Sequence, residues 1–133
     1  MVAGNALTSS GFNQILSQVF DATDTRSFQY FIIGAGTTTP TTTDTGLEST
    51  ITAWTAGGTS FKAYLTKTLD PANEGVNLRA FITAAEATGN VITEYADVNA
   101  LATKVLLGRF VFVDAITKTD AVQLSIITKY RRG

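Results

Sequence analysis

The chain has no cysteine, no histidine and only two prolines among its 133 residues, and its charged fraction is 16%. Each shortage excludes something. Without cysteine there is no disulfide, no thiolate metal site and no thiol nucleophile. Without histidine there is no Ser-His-Asp triad, no imidazole ligand and no side chain that ordinarily titrates near neutrality. Ten basic against eleven acidic residues give a net charge of -1, whereas wrapping nucleic acid needs a dense field of Lys and Arg. No apolar run approaches the ~20 residues of a membrane span. Met1-Val2-Ala3-Gly4-Asn5 lacks the basic and apolar stretches of a signal peptide. Most common enzyme chemistry is thereby removed, and the expectation is a protein that is not an enzyme and needs no cofactor or metal.

What the chain has instead is threonine, 23 residues of it, within a 44% hydrophobic composition. The length suits one domain over 1–133. Residues 1–24 read as an N-terminal helical segment: Phe12, Ile15, Leu16, Val19 and Phe20 fall on one helical face, with Asn13, Gln14, Ser17 and Gln18 opposite and Ser9 or Ser10 as the cap. This helix packs on its own core or lies on a neighbouring subunit. Ser27–Ile33 is aromatic and β-branched, a strand signal ending at Gly34. Residues 35–46 then form a Thr-rich arm or loop, in which Thr37, Thr38, Thr39, Thr41 and Thr42 surround Pro40 and favour extended backbone.

The remainder alternates as antiparallel β structure. Phe61–Leu65, Val76–Ile82, Val91–Tyr95 and Val122–Tyr130 read as strands; Thr68–Gly75 reads as a turn and Ala84–Thr88 as a helical turn. Lys104–Val113 is apolar on both faces, as a central strand covered on both sides must be. Arg109 lies on one of those faces and requires a carboxylate or an interface. The fold expected is mainly β: an antiparallel β-sandwich or jelly roll of about six strands, with a short N-terminal helix and extended arms.

Candidate chemistry is sparse. Gly34-Ala35-Gly36 after a strand lacks the third glycine and the following helix of a dinucleotide fingerprint, so it reads as a turn in which glycine supplies positive φ. Asp70, Asn73 and Glu74 lack the spaced ladder of a calcium loop. Glu48, Glu86 and Glu94 are scattered, whereas a glycosidase needs two carboxylates at one cleft. The tail over 129–133, with Lys129, Arg131 and Arg132, docks on an acidic protein surface or is solvated; it is too short for a nucleic-acid site.

Several segments resemble small tailed-bacteriophage virion structural proteins. Phe31-Ile32-Ile33-Gly34-Ala35-Gly36-Thr37-Thr38-Thr39-Pro40, then Asp44-Thr45-Gly46-Leu47-Glu48, resembles their Gly-x-Gly-Thr-Thr stretch and Asp-Thr-x-Leu-Glu. Asn90-Val91-Ile92-Thr93-Glu94, Leu106-Leu107-Gly108-Arg109 and Ile116-Thr117-Lys118 resemble their later elements, while Glu94-Tyr95-Ala96-Asp97-Val98 departs from the pattern.

The resemblance implies a virion component assembled in the bacterial cytoplasm. Foremost is a capsid decoration (cement) protein that binds the major capsid protein and neighbouring copies of itself; the alternative is a tail-fibre, collar or baseplate adaptor. A carbohydrate-binding module would need exposed rings from Trp54, Tyr64, Phe81 and Tyr95. The expected interface residues are Phe12, Ile15, Leu16 and Val19 of the helix, Thr37–Thr42 of the arm, Arg109, and the tail residues Lys129, Arg131 and Arg132.

Overall fold

A computed structural model describes residues 2–20, 27–99 and 104–131, without the side chains of Val2, Ala3, Asn5 and residues 17–20. Val19, as a side chain, and Arg132 therefore lie outside the described residues. The described chain is mainly antiparallel β with one helix. In order it runs β1 (Val2–Leu7), α1 (Ser9–Phe20), β2 (Phe28–Gly34), β3 (Lys62–Ala63) and β4 (Thr66–Asp70). A single 3-10 turn (Pro71–Asn73) then leads into β5 (Gly75–Ile82), β6 (Val91–Asn99), β7 (Leu106–Thr117) and β8 (Leu124–Arg131).

The strands form two sheets, ordered β1-β7-β6-β2-β3 and β4-β5-β8. They meet as a β-sandwich. Period-2 alternation turns Phe31 and Ile33 of β2, Tyr95 of β6 and Phe110 of β7 inward, against Ala80 and Ile82 of β5 and Ile126 of β8. Each fully buried side chain of this kind contributes about 1.5–3 kcal/mol over its exposed state. Trp54 joins this core from the long β2–β3 connection, where its indole N–H donates to the Ser60 carbonyl at 3.0 Å.

Strand β7 is central, between β1 and β6, as its two apolar faces require. Leu106 breaks the simple alternation of this strand: it packs with Ile32, Ala96 and Val98, whereas Phe110, an even number of residues on, packs against the other core cluster. A register shift between Asp97 and Val98 in the β6–β7 ladder accompanies this. Two strands were not anticipated. β1 occupies what reads as part of the helical segment, and β4 occupies the first half of the expected turn. The stretch 84–88 is a turn, not helix.

One polar cluster sits between the sheets. Asp97 is fully buried, and three hydroxyls donate to it: Tyr64 at 2.5 Å, Tyr95 at 2.7 Å and Tyr130 at 2.5 Å. Burial pushes the Asp97 carboxyl above its usual range despite these bonds. Burial and the adjoining Asp97 push all three phenols upward. Tyr130 belongs to the smaller sheet and Asp97 to the larger, so this bond ties the two layers together.

Candidate functional site

The N-terminal helix determines the site. Thr8, not Ser9 or Ser10, is the cap: its Oγ1 accepts the Gly11 N–H at 3.0 Å and its hydroxyl donates to the Leu106 carbonyl. The Thr8 N–H also donates to the Leu107 carbonyl at 2.9 Å. Gly11 lies flat on β7, where a Cβ would collide with the backbone of Leu106 and Leu107. This close approach selects the inward face of α1. Thr8, Gly11 and Gln14 point inward, with Gln14 only 6% exposed. Phe12 (50% exposed) and Leu16 then point outward. The helix is amphipathic as its spacing indicates, but Phe12 and Leu16 of its apolar face are turned to solvent and Ile15 is half-buried.

Beneath that face the two sheets part to leave a groove of about 720 Å³. Phe12 and Ile15 form one wall, Leu7 and Phe110 the floor on the larger sheet, and Leu69 and Val76 of the β4–β5 hairpin the opposite wall. Leu69 projects at 77% exposure. The rim carries both signs: Lys129 and Arg131 on β8, and Glu74 just after the 3-10 turn. Arg131 Nη2 also lies 3.3 Å from Asp70 Oδ2. Of the expected interface residues, Phe12, Ile15, Lys129 and Arg131 thus line one groove, and Leu16 stands exposed one helical turn beyond Phe12. Sequence reasoning missed Leu7 and Leu69. The alternation Lys67-Thr68-Leu69 beside β-branched threonines was the available signal for the second.

The remaining expected interface residues form a separate, inward-directed network. Arg109 is almost fully buried and finds its carboxylates within the chain. Its Nε and Nη2 both lie 2.9 Å from Glu94 Oε2, Nη1 lies 3.0 Å from Asp44 Oδ2, and Nη2 donates to the Thr38 hydroxyl at 3.2 Å. Arg109 is therefore an anchor under the loop and not a surface contact, because a buried guanidinium needs paired charge at close range. Burial lowers its basicity, but the Asp44 and Glu94 bonds outweigh this and raise it.

The Thr-rich stretch is a loop closed on this anchor, not a projecting arm. The Thr37 and Thr38 N–H groups donate to Glu48 Oε2 at 2.7 and 2.9 Å, which holds that carboxyl below its ordinary range. Pro40 is buried beside Gly4, and the Thr42 carbonyl accepts the Ser9 N–H at 2.8 Å. Thr37, Thr39, Thr41 and Thr42 stay exposed, while the hydroxyl of Thr38, itself exposed, reaches in to Arg109.

Gly34 and Gly36 serve this network too. Neither has positive φ; each is glycine because a Cβ would strike the Glu94 carboxylate. Glu94 Oε1 accepts the N–H of Gly36 at 3.0 Å and of Ser49 at 2.8 Å. The Gly-x-Gly turn cradles an internal carboxylate.

Other candidates resolve similarly. Glu86 pairs with Lys62 at 2.7 Å. Asp70 accepts from Asn73 at 3.0 Å within the 3-10 turn. Trp54 and Tyr95 are core residues and Tyr64 bonds Asp97, so they form no exposed aromatic platform. A smaller hollow of about 350 Å³ lies beside Phe61, whose ring centroid is 4.2 Å from Lys104 Nζ. Among the described residues no Asp/Glu cluster could hold a metal, and no helix is long and apolar enough to cross a membrane. No protein-family model, curated protein or solved structure matches the chain.

Proposed function

We propose that this chain is a structural subunit of a virion, foremost a bacteriophage capsid decoration protein that binds the assembled shell across subunit boundaries. The observation that supports this is where large apolar side chains lie exposed. They occur at the groove (Leu7, Phe12, Leu16 and Leu69) and again elsewhere, as Val91 and Val113 on β6 and β7, Leu65 before β4, and Ile127 on β8. Single exposed apolar residues such as Leu65 and Ile127 are ordinary, whereas apolar side chains gathered around one groove mark a surface that a neighbour covers. The low charge fraction fits the same reading, as does the sequence resemblance. Binding the assembled shell and not its free subunits would stabilise it by mass action.

The test is co-sedimentation of the purified chain with expanded, undecorated capsids of a tailed bacteriophage, together with the capsids' melting temperature. Saturable binding with a raised melting temperature is expected. Absence of binding at saturating protein would overturn the proposal.

A further inference from the structure

We infer that the free edge of β8 accepts an extended strand of a partner polypeptide, apolar on its inner face and acidic on its outer face. The first argument is how the sheets are closed. Four strands stand at their ends: β1 and β3 in the larger sheet, β4 and β8 in the smaller. An end strand offers a row of unpaired N–H and C=O groups as a template for another chain. Proteins therefore shorten such strands, bulge them, cover them or turn a charge inward along them. Three of the four ends are guarded in these ways. β1 has a register shift between Val2 and Gly4, and Pro40 packs beside Gly4. β3 is two residues long. β4 is five residues long, runs into Pro71, and sets Lys67 directly opposite the buried Leu78, which puts a charge on the inward side. β8 has none of these devices. It runs for eight residues without proline, and it pairs with β5 from Gly75 to Ile82 with no shift. Its inward side chains, Leu124, Ile126, Thr128 and Tyr130, are uncharged. Among the described residues its backbone bonds only to β5.

The second argument is what lies beside that edge. β8 stands over β6 and β7: the Tyr130 hydroxyl bonds Asp97, and its ring centroid is 6.3 Å from that of Phe110. β1 follows β7 in the larger sheet, so a strand added to β8 extends the smaller sheet toward β1 and the groove. There Leu7 is 45% and Phe12 50% exposed. The main chain of the added strand bonds β8 while its alternate side chains enter the groove, the division that gives strand addition its affinity and its specificity. A small apolar ligand would leave the edge unpaired.

The third argument is charge, which selects the partner. Arg79 lies opposite Ile127, so Arg79, Ile127, Lys129 and Arg131 share the outer face of the smaller sheet. Arg131 is already paired with Asp70 at 3.3 Å. Arg79 donates its Nε to the Ser125 hydroxyl at 2.9 Å, and neither it nor Lys129 has a carboxylate partner among the described residues. Two cations beside the edge are thus uncompensated, which favours carboxylates at the outer positions of the added strand. The β8 of a second copy would instead add its own Lys129 and Arg131 to them, and like charges across a strand pair are destabilising.

This inference does not depend on the capsid reading. The probe is the end-blocked peptide Thr-Val-Glu-Val-Glu-Val-Thr, titrated into the full chain and followed by the backbone amide resonances. Saturable shifts and slowed amide exchange along β8 are expected, centred on residues 124–131. Replacing both glutamates of the peptide by lysine should weaken binding about tenfold or more. N-methylation of one alternate set of peptide nitrogens should abolish binding and of the other set should not, since an added strand bonds through one edge. Lys129→Glu, at an exposed position, should weaken the acidic peptide about fivefold and reverse the preference between the two peptides, with unchanged circular dichroism. No saturable binding at millimolar peptide, equal binding of the lysine peptide, or indifference to both methylated sets would overturn the inference. A chain that refuses the peptide yet binds capsids would remove the strand-accepting edge and leave the shell reading standing; a chain that takes the peptide and ignores capsids would do the reverse.

Discussion

Replacing Arg109 with methionine removes the guanidinium while keeping most of the apolar stem. Glu94, fully buried, then loses both 2.9 Å contacts to Oε2, and Asp44 loses its 3.0 Å partner. Removing one partner of a buried pair typically costs about 3–5 kcal/mol because an uncompensated charge is left inside. Here Glu94 keeps three backbone donors, from Gly36, Glu48 and Ser49, which places the loss near the lower end, about 3 kcal/mol. Against a total stability of about 5–15 kcal/mol this is large.

Urea unfolding followed by the fluorescence of Trp54, the single and buried tryptophan, measures it. Amide exchange adds a local signature: the N–H groups of Gly36, Thr37, Thr38 and Ser49 should exchange faster, since their acceptors are the carboxylates that Arg109 holds in place. Arg109→Lys keeps the charge but not the fork, and should lose less. A loss under about 1 kcal/mol, with exchange over residues 36–49 unchanged, would refute the reasoning, because the network would then be worth no more than a surface ion pair.

Three further outcomes follow from the same geometry. Tyr64, Tyr95 and Tyr130 have phenol pKa values raised in the folded state, so their stabilisation is complete below the unfolded value of 10.0 and is lost as pH rises above it. With all three still protonated, stability should fall by about 4 kcal/mol per pH unit above 10; a tyrosinate absorbance rise larger than Tyr30 alone supplies, preceding loss of the fold, would contradict this. Gly36→Ala puts a Cβ 2.5 Å from Glu48 Cβ and 2.7 Å from Glu94 Oε1, and should cost about 1–3 kcal/mol in urea unfolding, with no loss expected if the constraint were only turn flexibility. Thr8→Ala removes the helix cap and should cost about 1–2 kcal/mol, with Thr8→Ser restoring most of it in thermal unfolding.

Much of the fold is legible in the sequence wherever a local pattern coincides with a buried face. Ser27–Ile33, Val76–Ile82, Lys104–Val113 and Val122–Tyr130 alternate or run apolar because both partner layers demand it, and each is a strand. β1 is not legible in this way. Val2-Ala3-Gly4-Asn5-Ala6-Leu7 has little β propensity, and it is a strand because β7 offers it an edge from Gly108 to Phe112. The Thr-rich stretch shows its extended character in its threonines and Pro40 but not its attachment. That depends on Glu48 about ten residues on and Glu94 nearly sixty residues on, contacts that no local window holds. The Gly-x-Gly pair likewise depends on that distant carboxylate, with no bearing on local φ.

The helix shows most sharply what periodicity does and does not determine. The spacing of Phe12, Ile15 and Leu16 defines an apolar face, and burial is its usual fate. The orientation is instead set by two small residues at its start. Thr8 bonds the end of β7 and Gly11 lies against the Leu106–Leu107 backbone, and neither contact survives a rotation that turns Phe12 inward. The polar groups that would ordinarily sit outside are meanwhile used within: Glu94 and Arg109 hold the loop, and Asp97 joins the two sheets. A chain that buries its carboxylates and leaves Phe12, Leu16 and Leu69 in water leaves part of its available hydrophobic stabilisation unrealised as a single copy. Burying such a side chain is worth about 1.5–3 kcal/mol, so the outward orientation of the helix gives up stabilisation that the Thr8 and Gly11 contacts must offset.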